Sequence, residues 1–374
     1  MGKIIVLATP VFLALIALEF RLGKNRAGYY SLADTINSIS LGMLNQISGA
    51  LGTLLTLGIY VLAFDHLALL QARDFWNTWY GYLAALVFYD FCYYWLHRCG
   101  HEVAILWAAH VVHHQSQHYN LSTALRQTSS GIALGWIFYM PMALAGVPPA
   151  VFAIVALVDL LYQFWVHTEL VGKLGWFDRV FCSPSNHRVH HAVNDRYIDR
   201  NYGGVLVVWD RMFGSFEEET EPCVYGTRKL LNSWDPLWSN AEVYSALWQA
   251  LRRADSWGDR LRVWFKPPGW QSAAMAIVDP KAPFVLESVQ RFEVPLPPAQ
   301  QRFAIVQFAM NLALTSAYLW HVESMTRQAA WGFAMGLAAV IWLQGRCLQG
   351  KTHGLLALLA ALALAGTAML WRMG

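Results

Sequence analysis

Long apolar runs limit most strongly what this chain can fold into. A helix needs about 20 apolar residues to cross the hydrocarbon core of a bilayer. Charged residues make up only 14% of the 374 residues, against about 25% in a typical soluble domain, too few to cover a soluble surface. The sequence therefore predicts an all-α, polytopic integral membrane protein. Candidate spans are residues 4–20, 41–64, 78–96, 303–320, 329–343 and 355–371, and a shorter pair, 132–145 and 149–166, forms a hairpin that crosses only in part.

The placement of positive charge predicts the orientation of these spans. If the segment after the first span is cytoplasmic, 23 of the 27 Lys and Arg residues lie on the cytoplasmic side. Short loops rich in Lys and Arg stay in the cytoplasm. The first apolar run lacks a small-residue cleavage site, and Arg21, Lys24 and Arg26 follow it. We therefore interpret it as a retained span and not as a signal peptide.

Charge and cysteine content exclude some classes of function. The net charge of +3 gives no reason to expect a nucleic acid partner. The five cysteines are scattered and form no CxxC pair, which argues against a zinc ribbon or a disulfide framework. Their number and spacing fit a reducing compartment.

Histidines are the chemically informative residues. Ten of the 13 lie between residues 97 and 191. Residues at i, i+3 and i+4 of a helix share one face, so each cluster is expected to present its imidazoles on one stripe. Eight imidazoles exceed the needs of one zinc ion and suit two metal ions, although imidazole binds iron, copper, zinc and nickel alike. The predicted ligands form three boxes: His97 and His101; His110, His113 and His114; His187, His190 and His191.

The three boxes are predicted to meet at one membrane face. The first directly follows the span 78–96, the second lies before the hairpin, and the third follows the hairpin's return. A metal centre there meets lipid from the bilayer side and a reductant from the cytoplasm. We therefore expect a cytoplasmic histidine-rich di-metal cap on the membrane helices.

Metal-binding histidines usually donate their second N–H to a carboxylate or a carbonyl. Asp90, Asp199 and Asp210 are the candidate carboxylates. Arg126 and Asn120 could orient a polar head group or a cofactor, and Arg126 could equally pair with a membrane phosphate. His118 could be a ligand, a proton relay or neither.

The sequence around the boxes resembles the fatty acid hydroxylase superfamily, the membrane di-iron proteins that include the sterol desaturases. The resemblance runs from about Asp90 to Arg228. Beyond the boxes it includes residues 90–98, 119–127, 167–169, 197–204, 209–216 and 224–228, and these longer runs are similar to the alkylglycerol monooxygenase branch. Gln117 and Ala192 depart from that branch, which has an acidic residue and a glycine there.

The resemblance implies a site and a reaction. It implies two iron ions held by the eight box histidines, with His167 as a ninth ligand, and functional roles for Glu102 and Glu169. It also implies that O2 oxidises the alkyl carbon next to an ether oxygen. The electron donor is then separate, either tetrahydrobiopterin or another external reductant.

We thus predict a membrane lipid monooxygenase with Glu102, Asn120 and Glu169 as catalytic candidates. The predicted units are the N-terminal membrane helices (1–76), the catalytic domain (77–230), an amphipathic linker region (231–302) and a three-helix membrane unit (303–374). Alternatives are a hydroxylase or desaturase of a fatty acyl, sterol or other lipid, a zinc-dependent membrane hydrolase, and a metal or haem carrier. The partners expected are a membrane lipid, O2 and an electron donor.

Overall fold

The longest helices coincide with the predicted apolar runs. The structure is a computed structural model that describes residues 2–70, 72–351 and 366, without the side chains of residues 53–56. Three helices are long and apolar enough to cross a membrane: α1 (Gly2–Gly23), α14 (Pro298–His321) with the turn after it, and α15 (Arg327–Leu348). A fourth, α2 (Leu32–Leu67), is bent by 42°. The chain is therefore a helical membrane protein, as predicted; the predicted span 355–371 lies outside the described residues.

Helix α4 (Trp79–Glu102) carries the first histidine box. It begins at Thr78, whose hydroxyl accepts a hydrogen bond from the amide of Gly81, and it covers the predicted span 78–96. Within the described chain, α4 is not among the helices apolar enough to cross a bilayer. Its C-terminal turns instead carry polar and charged residues towards the other histidines.

The predicted hairpin is present, and its first arm is broken into short pieces. These are 3₁₀ turns at Gly131–Ala133 and Gly135–Tyr139 and the helix α7 (Met140–Leu144), and the second arm is α8 (Pro149–Trp165). Both arms are shorter than a full span. Gly146 joins them with φ of +74°, and a Cβ there would lie 2.2 Å from the carbonyl oxygen of Leu70, so only glycine fits.

Short helices form the cap around the histidines. The described part of the chain has no β-strand, only two isolated bridges, Phe181 with Leu206 and Ala192 with Tyr225. The cap helices are α5 (Ala104–Ala108), α6 (Leu121–Ala124), α9 (Pro184–His191), α10 (Val208–Phe213), α11 (Pro236–Arg253), α12 (Trp257–Phe265) and α13 (Ala273–Val278), with 3₁₀ turns at Val111–His114, Phe177–Arg179 and Leu286–Ser288. Outside the cap, α3 (Arg73–Trp76) precedes α4, and a 3₁₀ turn, Val322–Ser324, follows α14.

The region predicted as a linker, 231–302, contributes to the core. Leu247, Val263 and Met275 of its three helices pack against Ala104 and Ala108 of α5, directly before the second box. At the opposite side, α14 and α15 pack on α2 through one apolar cluster that contains Ile47, Leu314 and Ile341. Both flanking regions therefore support the histidine centre.

A buried carboxylate fastens α1 to the cap. Glu19 is only 4% exposed. Its Oε1 accepts hydrogen bonds from the hydroxyls of Tyr29 at 2.6 Å and Thr168 at 2.5 Å. Its Oε2 accepts from the Tyr30 hydroxyl and, at 2.8 Å, from the amide of Leu121. The first helix is thus tied to the segment that contains His167.

Candidate metal centre

Each histidine box sits on a different local structure. The first lies in the last turns of α4, and the third fills the C-terminal half of α9, whose start is fixed by a capping box between Ser183 and Asn186. The second box folds as the 3₁₀ turn Val111–His114, with His110 as its N-cap, and not as the expected α-helical stripe.

The nine predicted ligands converge into two groups of nitrogens. Within each group, the candidate ligand atoms all lie within 4.8 Å of one another. The five-histidine cluster consists of His97, His101, His110, His114 and His190, and the four-histidine cluster consists of His113, His167, His187 and His191. His167, which lies outside the three boxes, joins the second cluster. The two groups form a metal-binding site.

The HxxHH boxes divide their histidines between the clusters. In the second box, the i and i+4 residues His110 and His114 enter the five-histidine cluster, and His113 enters the other. In the third box the assignment is reversed: His187 and His191 enter the four-histidine cluster, and His190 enters the five-histidine cluster. Both boxes therefore contribute to both halves of the centre.

The chemistry of the nitrogens fits metal ions. The buried Nε2 atoms of His97, His101 and His190 have no hydrogen-bond partner in the described structure. In the four-histidine cluster, the Nε2 of His187 lies 3.1 Å from that of His167 and 3.2 Å from that of His191. Such lone pairs, directed at a common point, are satisfied by a cation.

Burial keeps these imidazoles neutral, which metal binding requires. Desolvation lowers the pKa of His113 to about 4. It also lowers the pKa of His167, His187 and His191 well below the usual value, with the neighbouring histidines adding to the effect. The same holds in the other cluster for the pKa values of His110, His114 and His190.

Backbone carbonyls fix the tautomers. The Nδ1 of His97 donates to the carbonyl of Tyr202 at 2.8 Å, and that of His190 donates to the carbonyl of Arg200 at 3.0 Å. In the other cluster, the Nδ1 of His113 and of His167 donate to the carbonyls of Arg126 and Gln163, each at 2.8 Å. These bonds place the proton on Nδ1 and leave Nε2 free for a metal.

The predicted orienting carboxylates act mostly on the backbone. Asp210 accepts hydrogen bonds from the amides of Tyr202 at 2.7 Å and Gly203 at 2.8 Å. Asp90 accepts from the amides of Val205 at 2.7 Å and Leu206 at 3.0 Å. Of the three, Asp199 alone lies near a histidine, 3.6 Å from the Nδ1 of His101. The expectation of direct contact was therefore wrong for Asp90 and Asp210.

The loop that contains the carbonyls of Arg200 and Tyr202 has a strained backbone. Asp199 and Asn201 have φ of 57° and 55°, a region that costs a residue other than glycine about 1–3 kcal/mol. The side chain of Asn201 holds the loop by donating to the carbonyls of Asn186 and Glu217 at 3.0 and 2.8 Å. These hydrogen bonds give the run 197–204 a structural role beside the histidine boxes. The spacing of the residues in the sequence did not reveal this role.

The three predicted catalytic residues lie around the centre. Glu102 pairs with Arg98 at 3.0 Å and accepts from the hydroxyl of Tyr202 at 3.3 Å, so it adjoins the five-histidine cluster through Tyr202. Asn120 is fully buried, caps α6 and donates to the carbonyl of Tyr29 at 3.0 Å. The side chain of Glu169 lies near the hydroxyl of Tyr225, and the backbone carbonyl of Glu169 accepts a hydrogen bond from the Arg26 guanidinium at 3.1 Å. No contact identified in the described residues joins Asn120 or Glu169 to a histidine of either cluster.

Other predicted positions have structural partners. His118 lies in neither cluster and contacts the carbonyl of Gly28 at 3.0 Å and Glu293 at 3.3 Å. Arg126 is buried and donates to Val112 and Asn37 at 2.8 and 2.9 Å, so it tethers the second box to α2 and does not reach a membrane phosphate. Ala192 has φ of −83°, where glycine is not required.

An apolar cavity of about 390 Å³ reaches the centre. Its wall includes His97 and His110 from one cluster and His113 and His167 from the other. From there it extends between α1, α2 and α14, all distant in sequence from the boxes. Of the aromatic residues in the hairpin, Phe164 lines the cavity.

Comparison with known proteins identifies the family. The fatty acid hydroxylase family model matches residues 82–215. Alkylglycerol monooxygenase of Danio rerio is 38% identical over 318 residues, which is 83% of this chain and 70% of that protein. The chain belongs to the fatty acid hydroxylase family. The human alkylglycerol monooxygenase is 36% identical, over 82% of this chain and 69% of that protein. The ornithine lipid hydroxylase OlsE of Rhizobium tropici is 30% identical, over 50% of this chain and 59% of that protein.

Family membership confirms the predicted resemblance and the enzyme class, a lipid monooxygenase or hydroxylase. The matched residues 82–215 contain all nine histidines of the two clusters. No solved structure matches the chain.

Proposed function

We propose that this chain is an O2-dependent di-iron monooxygenase that cleaves ether lipids of the alkylglycerol type. The observation that carries the proposal is the apolar cavity, whose wall contains imidazoles of both histidine clusters. The identity of 38% and 36% to alkylglycerol monooxygenases supports an ether lipid as the substrate. The alkyl chain would occupy the cavity, with its first carbon beside the histidines.

Each histidine cluster is the proposed site of one iron ion, with His167 as the ninth ligand. Imidazole is a suitable ligand for iron, and carbonyl partners on Nδ1 raise its basicity. When bound there in its reduced form, iron supplies the O2 activation that oxidation of an unactivated C–H bond requires. Under this proposal residues 77–230 form the catalytic unit.

The proposed reaction balances with an external reductant. One oxygen atom of O2 enters the C–H bond next to the ether oxygen, while two electrons and two protons reduce the other atom to water. The resulting hemiacetal breaks its bond to the ether oxygen and gives a fatty aldehyde and glycerol. Tetrahydrobiopterin or another donor supplies the electrons, since the sequence contains no Gly-rich nucleotide fingerprint near a predicted strand.

Residues of this chain hold the reacting groups and exclude water. The cavity wall is mainly apolar, which keeps bulk water away from the reacting carbon. Glu102 is the proposed positioning residue for Tyr202, whose carbonyl holds His97. Asn120 and Glu169 are proposed to support the site through the loops that they bind. The centre is proposed to face the cytoplasm, where 23 of the 27 basic residues would lie.

Hydroxylation of an acyl lipid is the second candidate. It is favoured by the 30% identity to ornithine lipid hydroxylase OlsE over half of this chain. The same clusters and cavity would serve both reactions. The two candidates differ in the product, which is an aldehyde for ether cleavage and an intact hydroxylated lipid for hydroxylation.

The test is lipid mass spectrometry under ¹⁸O2. Cells that express the chain, or its His190→Ala variant, are fed alkylglycerols and fatty acids, and metal is measured on the purified proteins. We expect label in a rapidly trapped fatty aldehyde from wild type only, with two iron ions per chain. Label in an intact lipid would establish hydroxylation, and an unlabelled lipid lighter by two hydrogens would indicate desaturation. Bound zinc with activity under nitrogen would refute the oxygenase and indicate a hydrolase.

A further inference from the structure

The wall of the cavity far from the histidines belongs to the C-terminal membrane unit. Leu312, Thr315, Ser316 and Leu319 of α14 line it. They lie more than 120 residues beyond the third box and outside the matched family region, 82–215. A segment that could have served only as an anchor therefore contacts the space proposed for the lipid.

The register of α1 locates the two ends of the cavity. At one end, Glu19 binds Thr168, next to His167. Seven residues earlier, Phe12 packs on Phe164, with ring centroids 4.5 Å apart. A further seven residues back is Ile5, also in the wall. With about 1.5 Å of rise per helical residue, Ile5 lies roughly 10 Å deeper than Phe12.

Helix α14 runs antiparallel to α1 and closes this deep end. A Cβ on Gly2 would lie 2.8 Å from the carbonyl oxygen of Leu319, so Leu319 sits at the start of α1. Phe308, eleven residues earlier, packs in the same cluster as Ile16. The order along α14 is therefore Leu312 near the level of Phe12, then Ser316, then Leu319 at the floor.

The resulting depth matches one leaflet of lipid. His167 lies three residues beyond Phe164, so the histidines stand about 15 Å above Ile5 by the same helical rise. Half of a hydrocarbon core is also about 15 Å. A cavity of this depth can take an alkyl chain packed as it is in one leaflet of a bilayer, with its first carbon at the metal centre.

We propose that α14 sets the chain length of the lipid, with Leu319 as the floor and Ser316 in the wall one helical turn above it. This inference rests on the proposed function for the identity of the lipid. A side chain larger than that of Ser316 occupies the space of the terminal methylenes of the alkyl chain. A smaller one at Leu319 lengthens the cavity.

The activity test compares Ser316→Phe and Leu319→Ala with wild type on 1-O-alkylglycerols from dodecyl to octadecyl. Ser316→Phe should lower kcat/KM for the octadecyl substrate at least about 10-fold more than for the dodecyl one, since a single methylene can change discrimination by this factor. Leu319→Ala should move the preference to longer chains. Ala313→Phe, on the exposed face of the same helix, is the control and should keep the wild-type profile. Identical profiles for Ser316→Phe and Ala313→Phe, with equal metal content, would overturn the proposal.

A photo-crosslink tests the floor without catalysis. Hexadecanol with a terminal diazirine is irradiated with the full-length, metal-loaded protein, and labelled peptides are mapped. The proposal expects label on residues 312–319 or on Ile5, and less of it in Ser316→Phe. Label confined to α4 and α8 would overturn the proposal. Label on α14 in a protein that oxidises no alkylglycerol would refute the proposed function and leave the chain-length floor standing.

Discussion

The two histidine clusters are held by different parts of the molecule. In the five-histidine cluster, His97, His101 and His190 have their Nδ1 partners in one loop, residues 199–202. In the four-histidine cluster, the partners of His113 and His167 are the carbonyls of Arg126 and of Gln163, which lie on separate elements. One half of the centre depends on a strained loop, and the other depends on helix ends and on the buried Arg126.

This difference predicts which substitutions disturb each cluster. A change in the loop 199–203 should disturb three ligands of one cluster and leave the other intact. By contrast, the partners of the four-histidine cluster are distributed, so no single outer residue should release it. Variants that remove one metal and retain the other would therefore separate the two halves.

The largest effect is expected from removing a ligand of either cluster. His190→Ala and His187→Ala should each lower activity by more than about 100-fold, because even loss of an outer partner of a ligand costs 10–100-fold. Each should also lower the iron content per chain. His118→Ala is the matched control, since His118 lies near the centre but in neither cluster; its iron content should equal that of wild type. A fully loaded His187→Ala protein would contradict the assignment of that ligand.

Asp210→Asn should affect the five-histidine cluster selectively. The side-chain amide nitrogen of the new asparagine cannot accept the hydrogen bond from the backbone N–H of Gly203. The loop that contains the Tyr202 carbonyl therefore loosens. We expect the affinity of one of the two proposed iron sites to fall 10–100-fold, measured by stepwise removal with a chelator. Asp90→Asn, which also loses acceptors for backbone amides, should not produce this split. Equal weakening of both sites by Asp210→Asn would contradict the difference between the two clusters.

The metal-free protein should lose stability in acid. The pKa of His113 in the folded chain is about 4, below the unfolded value of about 6.5, so the unfolded state binds more protons between these values. Stability is then complete above pH 6.5 and falls as the pH drops towards 4. His113 alone should cost about 1–2 kcal/mol at pH 5.5. Thermal unfolding in detergent would measure this fall, and a metal-free protein equally stable at pH 7 and pH 5.5 would contradict it.

The smallest effect is expected at the edge of the four-histidine cluster. The hydroxyl of Tyr119 donates to the carbonyl of Val166 at 2.9 Å, and its ring stacks on His167. Tyr119→Phe removes one hydrogen bond, worth about 1 kcal/mol, and keeps the ring. Iron affinity at one site should fall less than about 5-fold in a chelator titration. Complete loss of that iron would mean that this cluster depends on one outer residue after all.

Local patterns made the helices and the grouping of the histidines predictable. Apolar runs predict helices such as α1 and α15 because the length and the apolar character of a membrane span are set by consecutive residues. The boxes indicate the candidate ligands because residues i and i+4, such as His110 and His114 or His187 and His191, lie on one side of the chain and enter the same cluster. His167 was found through the resemblance to the family, since a single histidine after a hairpin has no spacing signal of its own.

Long-range geometry was not predictable from the same patterns. The sorting of His113 and His190 into opposite clusters depends on how a 3₁₀ turn faces α9. The carbonyl partners belong to backbone groups, which every residue carries, so side-chain identity does not reveal them. The wall formed by α14 depends on its packing against α1 and α2, whose wall residues lie more than 250 residues earlier in the sequence.

The four hydrogen bonds to Glu19 also bear on how the protein is made. The ribosome produces α1 about 100 residues before Leu121 and about 150 before Thr168. Until those residues emerge, an acidic side chain near the end of an apolar helix has only Tyr29 and Tyr30 as nearby partners. The newly inserted helix therefore docks fully only after the hairpin has returned, so that assembly of the histidine centre and anchoring of the N-terminus are completed together.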